Sequence, residues 1–169
     1  RGLVLIISSP SGAGKTTICK KIIQDIKGVS LSVSATTRKK RTNEIDRKDY
    51  FFVNDNQFSK MLKNNDFIET ANVFGHLYGT LKDEVISKIK KGTDVIVDID
   101  WQGTRQIEKY IPKDIVKVFI LPPSIDELKT RLGKRASEDE KNFLKRMSET
   151  RKEISHFSEY DYIIFNENI

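Results

Sequence analysis

Nine consecutive residues, Ser9-Pro10-Ser11-Gly12-Ala13-Gly14-Lys15-Thr16-Thr17, carry the side chains and the backbone freedom needed to hold a polyphosphate. Gly12 and Gly14 can take positive φ and turn backbone N–H groups toward one point, and a helix starting behind them adds the positive end of its dipole. Lys15 offers a point charge to β- and γ-phosphate oxygens, and the Thr16 hydroxyl suits Mg²⁺ in the P-loop arrangement. The stretch departs from G-x-x-x-x-G-K-[ST] at Ser9, which stands where the first glycine belongs and fits only if its φ stays negative. A second chemical signal lies in Asp94-Val95-Ile96-Val97-Asp98-Ile99-Asp100. An acidic residue ending an apolar strand is where P-loop proteins orient Mg²⁺, so Asp98, acting through water, and Asp100 are the candidates.

Those residues need elements to position them, and the hydrophobic pattern supplies these in order. Leu3 to Ile7 reads as a buried parallel strand, and Ile18, Ile22, Ile23 and Ile26 recur at helical spacing until Gly28. Val29 to Ala35 alternates strictly, which predicts one strand with an apolar face and a hydroxyl face that includes Ser34. The basic run Arg38 to Glu44 is either a solvated loop or an anion site. Tyr50 to Val53 predicts a short strand, and Phe58, Met61 and Leu62 a helix capped by Asn54 or Asp55. Phe67 to Phe74 predicts another strand that carries Glu69 among apolar neighbours, where a carboxylate requires a reason. Phe74 to Thr80 reads as a turn closing a small α+β insertion.

Beyond it come a helix from Lys82 to Lys91, the acidic strand, a helix from Trp101 to Tyr110, and a buried strand from Val116 to Leu121 stopped by Pro122-Pro123. Ser124-Ile125-Asp126-Glu127 and Ser137-Glu138-Asp139-Glu140 are capping boxes, with the polar Arg131-Leu132-Gly133-Lys134-Arg135 between them as a mobile lid. A final strand covers Tyr162 to Phe165. Strands alternating with helices imply an α/β architecture, a parallel sheet flanked by helices.

Composition sets broader limits. A chain of 169 residues can bury one main core with small inserted lobes. The net charge of +6 suits anionic partners without choosing between nucleotides and nucleic acid. Cys19 is alone, so no internal disulfide forms and a reducing, cytoplasmic setting is expected. No stretch approaches membrane-spanning length and none resembles a signal segment, although a chain starting at Arg1 leaves a removed leader open.

Taken together, the motifs resemble the guanylate kinase family. The resemblance rests on the P-loop at 9 to 16, Ser34-Ala35-Thr36-Thr37-Arg38, Arg41 with Glu44, Asp49-Tyr50, Phe67-Ile68-Glu69, Tyr78-Gly79-Thr80, Asp98-Ile99-Asp100, Gln102-Gly103 and Glu159-Tyr160-Asp161-Tyr162, in the family's order along nearly the whole chain. It implies a P-loop NTPase core (1–32, 84–124 and 152–169), an α+β GMP-binding lobe (33–83) and a helical lid (125–151). It implies ATP binding by Ser9 to Thr17, with Arg131, Arg135 and Asn166 as further contacts, and catalysis by Lys15, Arg135 and Arg146. The GMP phosphate would be gripped by Arg38, Arg41 and Tyr50, two guanidinium groups and a phenol suited to a dianion. Glu69 would accept from guanine N1–H and the N2 amine, Ser34 and Thr80 would donate to O6, and Tyr78 and Asp100 would complete the site. Adenine would leave Glu69 unpaired. Mg²⁺ would come with ATP and meet Thr16 and Asp98. Small nucleotides, with neither nucleic acid nor membrane, are the expected partners.

The chain departs from the family at Lys40, Asn43, Arg47, His76 and Leu77, all in the acceptor lobe, and family members usually continue past the position of Ile169 into a further helix. Three other functions stay open on sequence: a P-loop kinase for another nucleoside monophosphate, a GTPase switch through Asp100-Trp101-Gln102-Gly103, and a non-catalytic protein-binding module of the same fold. The GTPase reading lacks an N-K-x-D element, and intact Lys15, Arg135 and Arg146 argue against the binding module.

Overall fold

A computed structural model describes residues 1–73, 75–135 and 140–167, without the side chains of 132–135 and 140–146. Strand β1 (Val4–Ser8) lies at the centre of a five-stranded sheet of order β2-β7-β1-β8-β9, formed with β2 (Val29–Leu31), β7 (Asp94–Asp98), β8 (Ile115–Leu121) and β9 (Tyr162–Phe165). Every pairing in it is parallel. The period-2 alternation of β1 sends Val4 and Ile6 to one face, where they pack with Val85, Ile89, Val95, Val97 and Ile107. Ile7 goes to the other face with Ala13, Cys19 and Ile96. Helix α1 (Lys15–Asp25) covers the second face, while α3 (Lys82–Lys90) and α4 (Trp101–Tyr110) cover the first. This is the helix-flanked parallel sheet that the pattern predicts.

The acceptor lobe has its own sheet, order β4-β3-β6-β5, built from β3 (Ser34–Thr36), β4 (Phe51–Phe52), β5 (Phe67–Val73) and β6 (His76–Leu81). Helix α2 (Asp55–Lys63) closes over it with Phe58 stacked on Phe67 at 4.6 Å, and Asn54 forms the capping box with Gln57.

Three expectations change, two of them in how strands pair. The alternating run Val29 to Ala35 is not one strand: β2 pairs with β7 in the core, Ser32 and Val33 leave the ladder, and β3 joins the lobe sheet. The side-chain period continues across the break, so alternation alone does not reveal that the hydrogen-bond partner changes. The stretch read as a turn, Phe74 to Thr80, is mostly strand, because β6 pairs antiparallel with both β5 and β3. Gly79 suggests a turn but serves packing, since a Cβ there would lie 2.6 Å from the Phe67 ring.

The acidic strand ends at Asp98, and Asp100 instead caps α4, its Oδ1 accepting from the Gly103 N–H at 2.9 Å. Helix α5 (Ile125–Arg135), started by the Ser124 hydroxyl on the Glu127 N–H, runs through the polar Arg131 to Arg135 segment of the expected helical lid. Helix α6 (Glu140–Ile154) follows, and the second expected capping box falls mainly on 136–139, outside the described residues.

Candidate active site

The phosphate cradle forms between the end of β1 and the start of α1. Gly12 and Gly14 take φ of 91° and 93°, the Ala13 N–H between them donates to the Pro10 carbonyl at 3.2 Å, and Ser9 is not among the positive-φ residues. Gly14 caps α1 without a side-chain hydrogen bond, and the first turn of α1 holds no acidic residue. The helix therefore presents its dipole and uncapped N–H groups to an anion. Asn166, 8% exposed at the end of β9, donates from Nδ2 to the Ala13 carbonyl at 2.8 Å and fastens the loop to the sheet.

Lys15 Nζ lies 2.5 Å from Asp98 Oδ1. Burial alone would lower the Lys15 pKa, but the Asp98 carboxylate outweighs it and holds the ammonium above its ordinary value. Thr16 is exposed in the first turn of α1 beside this pair. A hydroxyl and a carboxylate are hard oxygen donors suited to Mg²⁺, which takes its remaining ligands from phosphate and water. Among the described residues no group of three or more His, Cys, Asp or Glu could hold a metal by itself, so this donor set fits an ion delivered with a nucleotide.

On the acceptor side, Glu69 is 3% exposed. Its Oε1 accepts from the Thr80 N–H at 2.9 Å and from Thr80 Oγ1 at 2.6 Å, and Ser34 Oγ lies 3.2 Å from Thr80 Oγ1. Facing an ionised Glu69, Thr80 spends its one hydroxyl proton on the carboxylate, so it orients Glu69 here and does not stand free to donate to a base oxygen. Burial, with the Asp100 charge added, pushes the Glu69 carboxyl up to about 7 against the Thr80 hydrogen bonds.

Arg38 is held on three edges: both Nη atoms reach the Glu44 carboxylate at 3.0 and 2.6 Å, Nε donates to Tyr78 Oη at 3.2 Å, and Nη1 also donates to the Lys39 carbonyl at 2.8 Å. Glu44 also accepts from the Arg41 N–H at 2.8 Å, so one carboxylate shapes the whole basic loop. The Arg38 guanidinium, the main cause, holds Glu44 below the ordinary carboxylate range. The Tyr50 phenol packs edge-on against Tyr78 at 5.9 Å, and burial pushes it up to about 12 within electrostatic reach of Asp98 and Lys15.

The remaining expected residues are less tightly drawn together. Arg131 pairs with Glu127 along α5 at 2.8 Å, and the side chains of Arg135 and Arg146 lie outside the described residues. Neither histidine sits as a catalytic base: His76 is exposed at the start of β6, and His156 stacks on Trp101 at 3.8 Å with Nδ1 2.7 Å from Glu159.

Three residues have structural roles that the sequence does not announce, although Gly103 stands in the Gln102-Gly103 match. Burial pushes the carboxyl of Glu153 of α6 up to about 7 against the pull of the Lys15 charge. Gln106 of α4 accepts from the Thr70 N–H at 3.0 Å and donates to the Thr70 carbonyl at 2.8 Å, next to Glu69. Gly103 lies directly beneath the Glu69 carboxylate. For Gln106 and Gly103 the available signal is helical spacing, which puts both on the same side of α4 as Asp100.

The comparisons with known proteins agree with this geometry. The family model described as Guanylate kinase matches residues 1–169. A curated guanylate kinase from Novosphingobium aromaticivorans is 48% identical over 169 residues, all of this chain and 76% of the relative. One from Rhodopseudomonas palustris strain HaA2 is 47% identical over 100% of this chain and 77% of its own length. The crystal structure of guanylate kinase from Anaplasma phagocytophilum superposes with a TM-score of 0.83 at 34% identity, covering 99% of this chain and 78% of that one. With the P-loop, the buried Glu69 and the basic loop in place, the chain belongs to the guanylate kinase family.

Proposed function

We propose that this chain catalyses ATP + GMP → ADP + GDP, accepts dGMP as well, and acts in the cytoplasm on free nucleotides. An oxygen of the GMP phosphate forms the new bond to the γ-phosphorus while the bond from that phosphorus to the β,γ-bridging oxygen breaks, leaving ADP. No general base is required, because a phosphate monoester with a second pKa near ~6 is already an anionic nucleophile at neutral pH. The chain's work is to position and to offset charge.

The N–H groups around Gly12 and Gly14 and the start of α1 hold the donor phosphates, and Lys15 supplies the cation for the oxygens of the transferring group. Thr16 and Asp98 would hold Mg²⁺, which when bound neutralises developing charge on those oxygens. Arg38, Arg41 and Tyr50 take the GMP phosphate, and Arg38 exchanges part of its Glu44 contact for it. Glu69 reads guanine N1–H and N2, with Ser34 and Asp100 beside it. Arg135 and Arg146 of the lid helices, with Arg131, complete the charge around the donor.

The observation that carries the reading is Glu69, a buried carboxylate fixed by Thr80 in a chain that also carries a P-loop lysine. An ADP-release assay with ATP and Mg²⁺, offering GMP, dGMP, AMP, UMP, dTMP and CMP separately, tests it. Turnover with GMP and dGMP alone is expected. Turnover with a different monophosphate would keep a kinase and discard the role of Glu69, and none with any acceptor would favour a non-catalytic module.

A further inference from the structure

We infer that Gly103 is a specificity-determining position: the missing side chain in the first turn of α4 makes room for the Glu69 carboxylate, and Gln106 fixes the strand that carries it. The inference rests on the reading of Glu69 as the partner of guanine.

Glycine inside a helix costs about 1 kcal/mol relative to alanine, so its presence in α4 calls for a cause. Backbone geometry is not that cause, because Gly103 is absent from the positive-φ glycines and sits in regular helix, its N–H capped by Asp100 at 2.9 Å. Space is. A Cβ at 103 would stand 2.7 Å from Glu69 Oε2, 3.2 Å from its carboxyl carbon and 3.2 Å from the terminal methyl of Ile99. The Ile99 methyl is the end of a flexible side chain and can give way.

Glu69 cannot yield at the same cost. Its Oε1 is held twice by Thr80, the side chain is buried, and the next residue is clamped. That clamp is the Gln106 amide, which satisfies both the N–H and the carbonyl of Thr70 and so ties β5 to α4 as a strand neighbour would. Two residues before Glu69, the Phe67 ring is fixed between Phe58 and Gly79. Strand β5 is therefore pinned on either side of the carboxylate.

The two Glu69 oxygens then have separate surroundings: Oε1 belongs to Thr80, and Oε2 lies over the bare backbone of Gly103. A methyl at 103 must turn the carboxylate about its last torsion or lift β5. Either movement breaks the Thr80 geometry and misplaces both acceptors needed by the N1–H and N2 edge. Adenine makes no use of those acceptors, so its poor reaction would not change. Gly103 and Gln106 are thus positioning residues that act on base choice through Glu69.

The test measures kcat and KM for GMP and AMP, and KM for ATP, in the wild-type enzyme, Gly103→Ala, Glu69→Ala and the double variant. Gly103→Ala should lose about 10-fold or more in kcat/KM for GMP, mainly through KM, with AMP kinetics and KM for ATP unchanged. In the Glu69→Ala background, where the obstructed group is gone, the same substitution should cost nothing further. If Gly103→Ala alone fails to fold, the double variant must still fold and match Glu69→Ala. Gln106→Ala, which removes the clamp and adds no clash, should shift the GMP to AMP ratio in the same direction by about 3-fold.

An unchanged GMP to AMP ratio in Gly103→Ala, or an equal loss with and without Glu69, would overturn the inference while leaving the kinase intact. A wild-type enzyme inactive on GMP but active on another monophosphate would overturn the functional reading itself, and this inference with it.

Discussion

In the proposed phosphate cradle, the groups offered to the donor are backbone N–H groups set by Gly12 and Gly14, in a loop tied to the sheet through Asn166. In the acceptor lobe they are side chains held by other side chains: Arg38 by Glu44 and Tyr78, and Glu69 by Thr80, which in turn meets Ser34. Backbone donors keep their direction as long as the main chain keeps its dihedrals. Side-chain groups keep theirs only while each partner is present, and they stay adjustable. The donor phosphates are common to many reactions, whereas the base is what must be chosen, so the adjustable network lies where selectivity is needed.

The sharpest test of this contrast is Lys15, the one cradle group that is a side chain with a charge. Lys15→Ala should lower kcat by about 10³-fold or more toward every acceptor, because the oxygens of the transferring phosphoryl group lose their cation whatever base is bound. Circular dichroism should show the fold retained, since both partners of the Lys15–Asp98 pair are partly exposed. Residual activity within 10-fold of wild type would mean that the backbone cradle does the work alone.

Glu69→Gln should act on one substrate only. The amide keeps one acceptor but turns an NH₂ donor toward the guanine N1–H and N2 edge, so kcat/KM for GMP should fall about 10²-fold while AMP hardly changes. The pH dependence follows from the raised Glu69 pKa, about 7. Only the ionised carboxylate accepts from both guanine groups, so KM for GMP should fall as pH rises through 7 and climb as pH drops below it. The GMP phosphate titrates nearby, near ~6, in both enzymes. The difference between the wild-type and Glu69→Gln profiles isolates the carboxylate, and parallel profiles would show that Glu69 does not titrate in this range.

The same contrast explains what could be read in the chain. The cradle, its strand and its helix were legible because glycine pairs, an apolar run and a helical repeat are local codes. So was α2, through Asn54 and Gln57. The hinge at Ser32-Val33 was not, because an alternating strand looks the same whichever sheet it joins. Strand β6 was hidden because Gly75 and Gly79 suggest a turn, whereas Gly79 is placed by the Phe67 ring 12 positions away. The roles of Gly103 and Gln106 depend on β5, more than 30 positions earlier, and no window along the sequence contains both. Glu69 itself was conspicuous as a charge in an apolar strand, but the resemblance offered it only guanine and assigned Thr80, which holds it, to the base oxygen instead.

Asn166 marks the border between the two regimes, since it is a side chain that fixes backbone. The resemblance makes it a contact of ATP itself, and its Nδ2 holds the Ala13 carbonyl. Asn166→Ala leaves that buried carbonyl without its donor and should raise KM for ATP about 3- to 10-fold, with KM for GMP unchanged. Measuring ATP and GTP as alternative donors separates the two roles. Loss of loop support weakens both donors alike, but loss of a base contact would change their ratio.

The smallest expected effect tests whether the lobe's departures disturb its network. Arg47 is one of the family-departing residues and holds φ of 63°, in the left-handed region, with its N–H donating to the Tyr50 carbonyl at 2.7 Å. A non-glycine residue in that region costs about 1–2 kcal/mol, while glycine adds about 0.5–1 kcal/mol of unfolded-state entropy. The difference favours Arg47→Gly by about 0.5 kcal/mol, a rise in Tm of about 1–2 °C for a chain of this size. The backbone hydrogen bond to Tyr50 survives the change, and the Arg47 side chain is exposed, so KM for GMP should not move. A higher Tm with unchanged KM would mean that arginine here is tolerated strain and that the phosphate-gripping loop is set by Arg38 and Glu44. A lower affinity for GMP would instead show that the Arg47 charge helps draw in the acceptor, and that the lobe's selectivity network reaches further into its exposed loop than the contacts of Glu44 do.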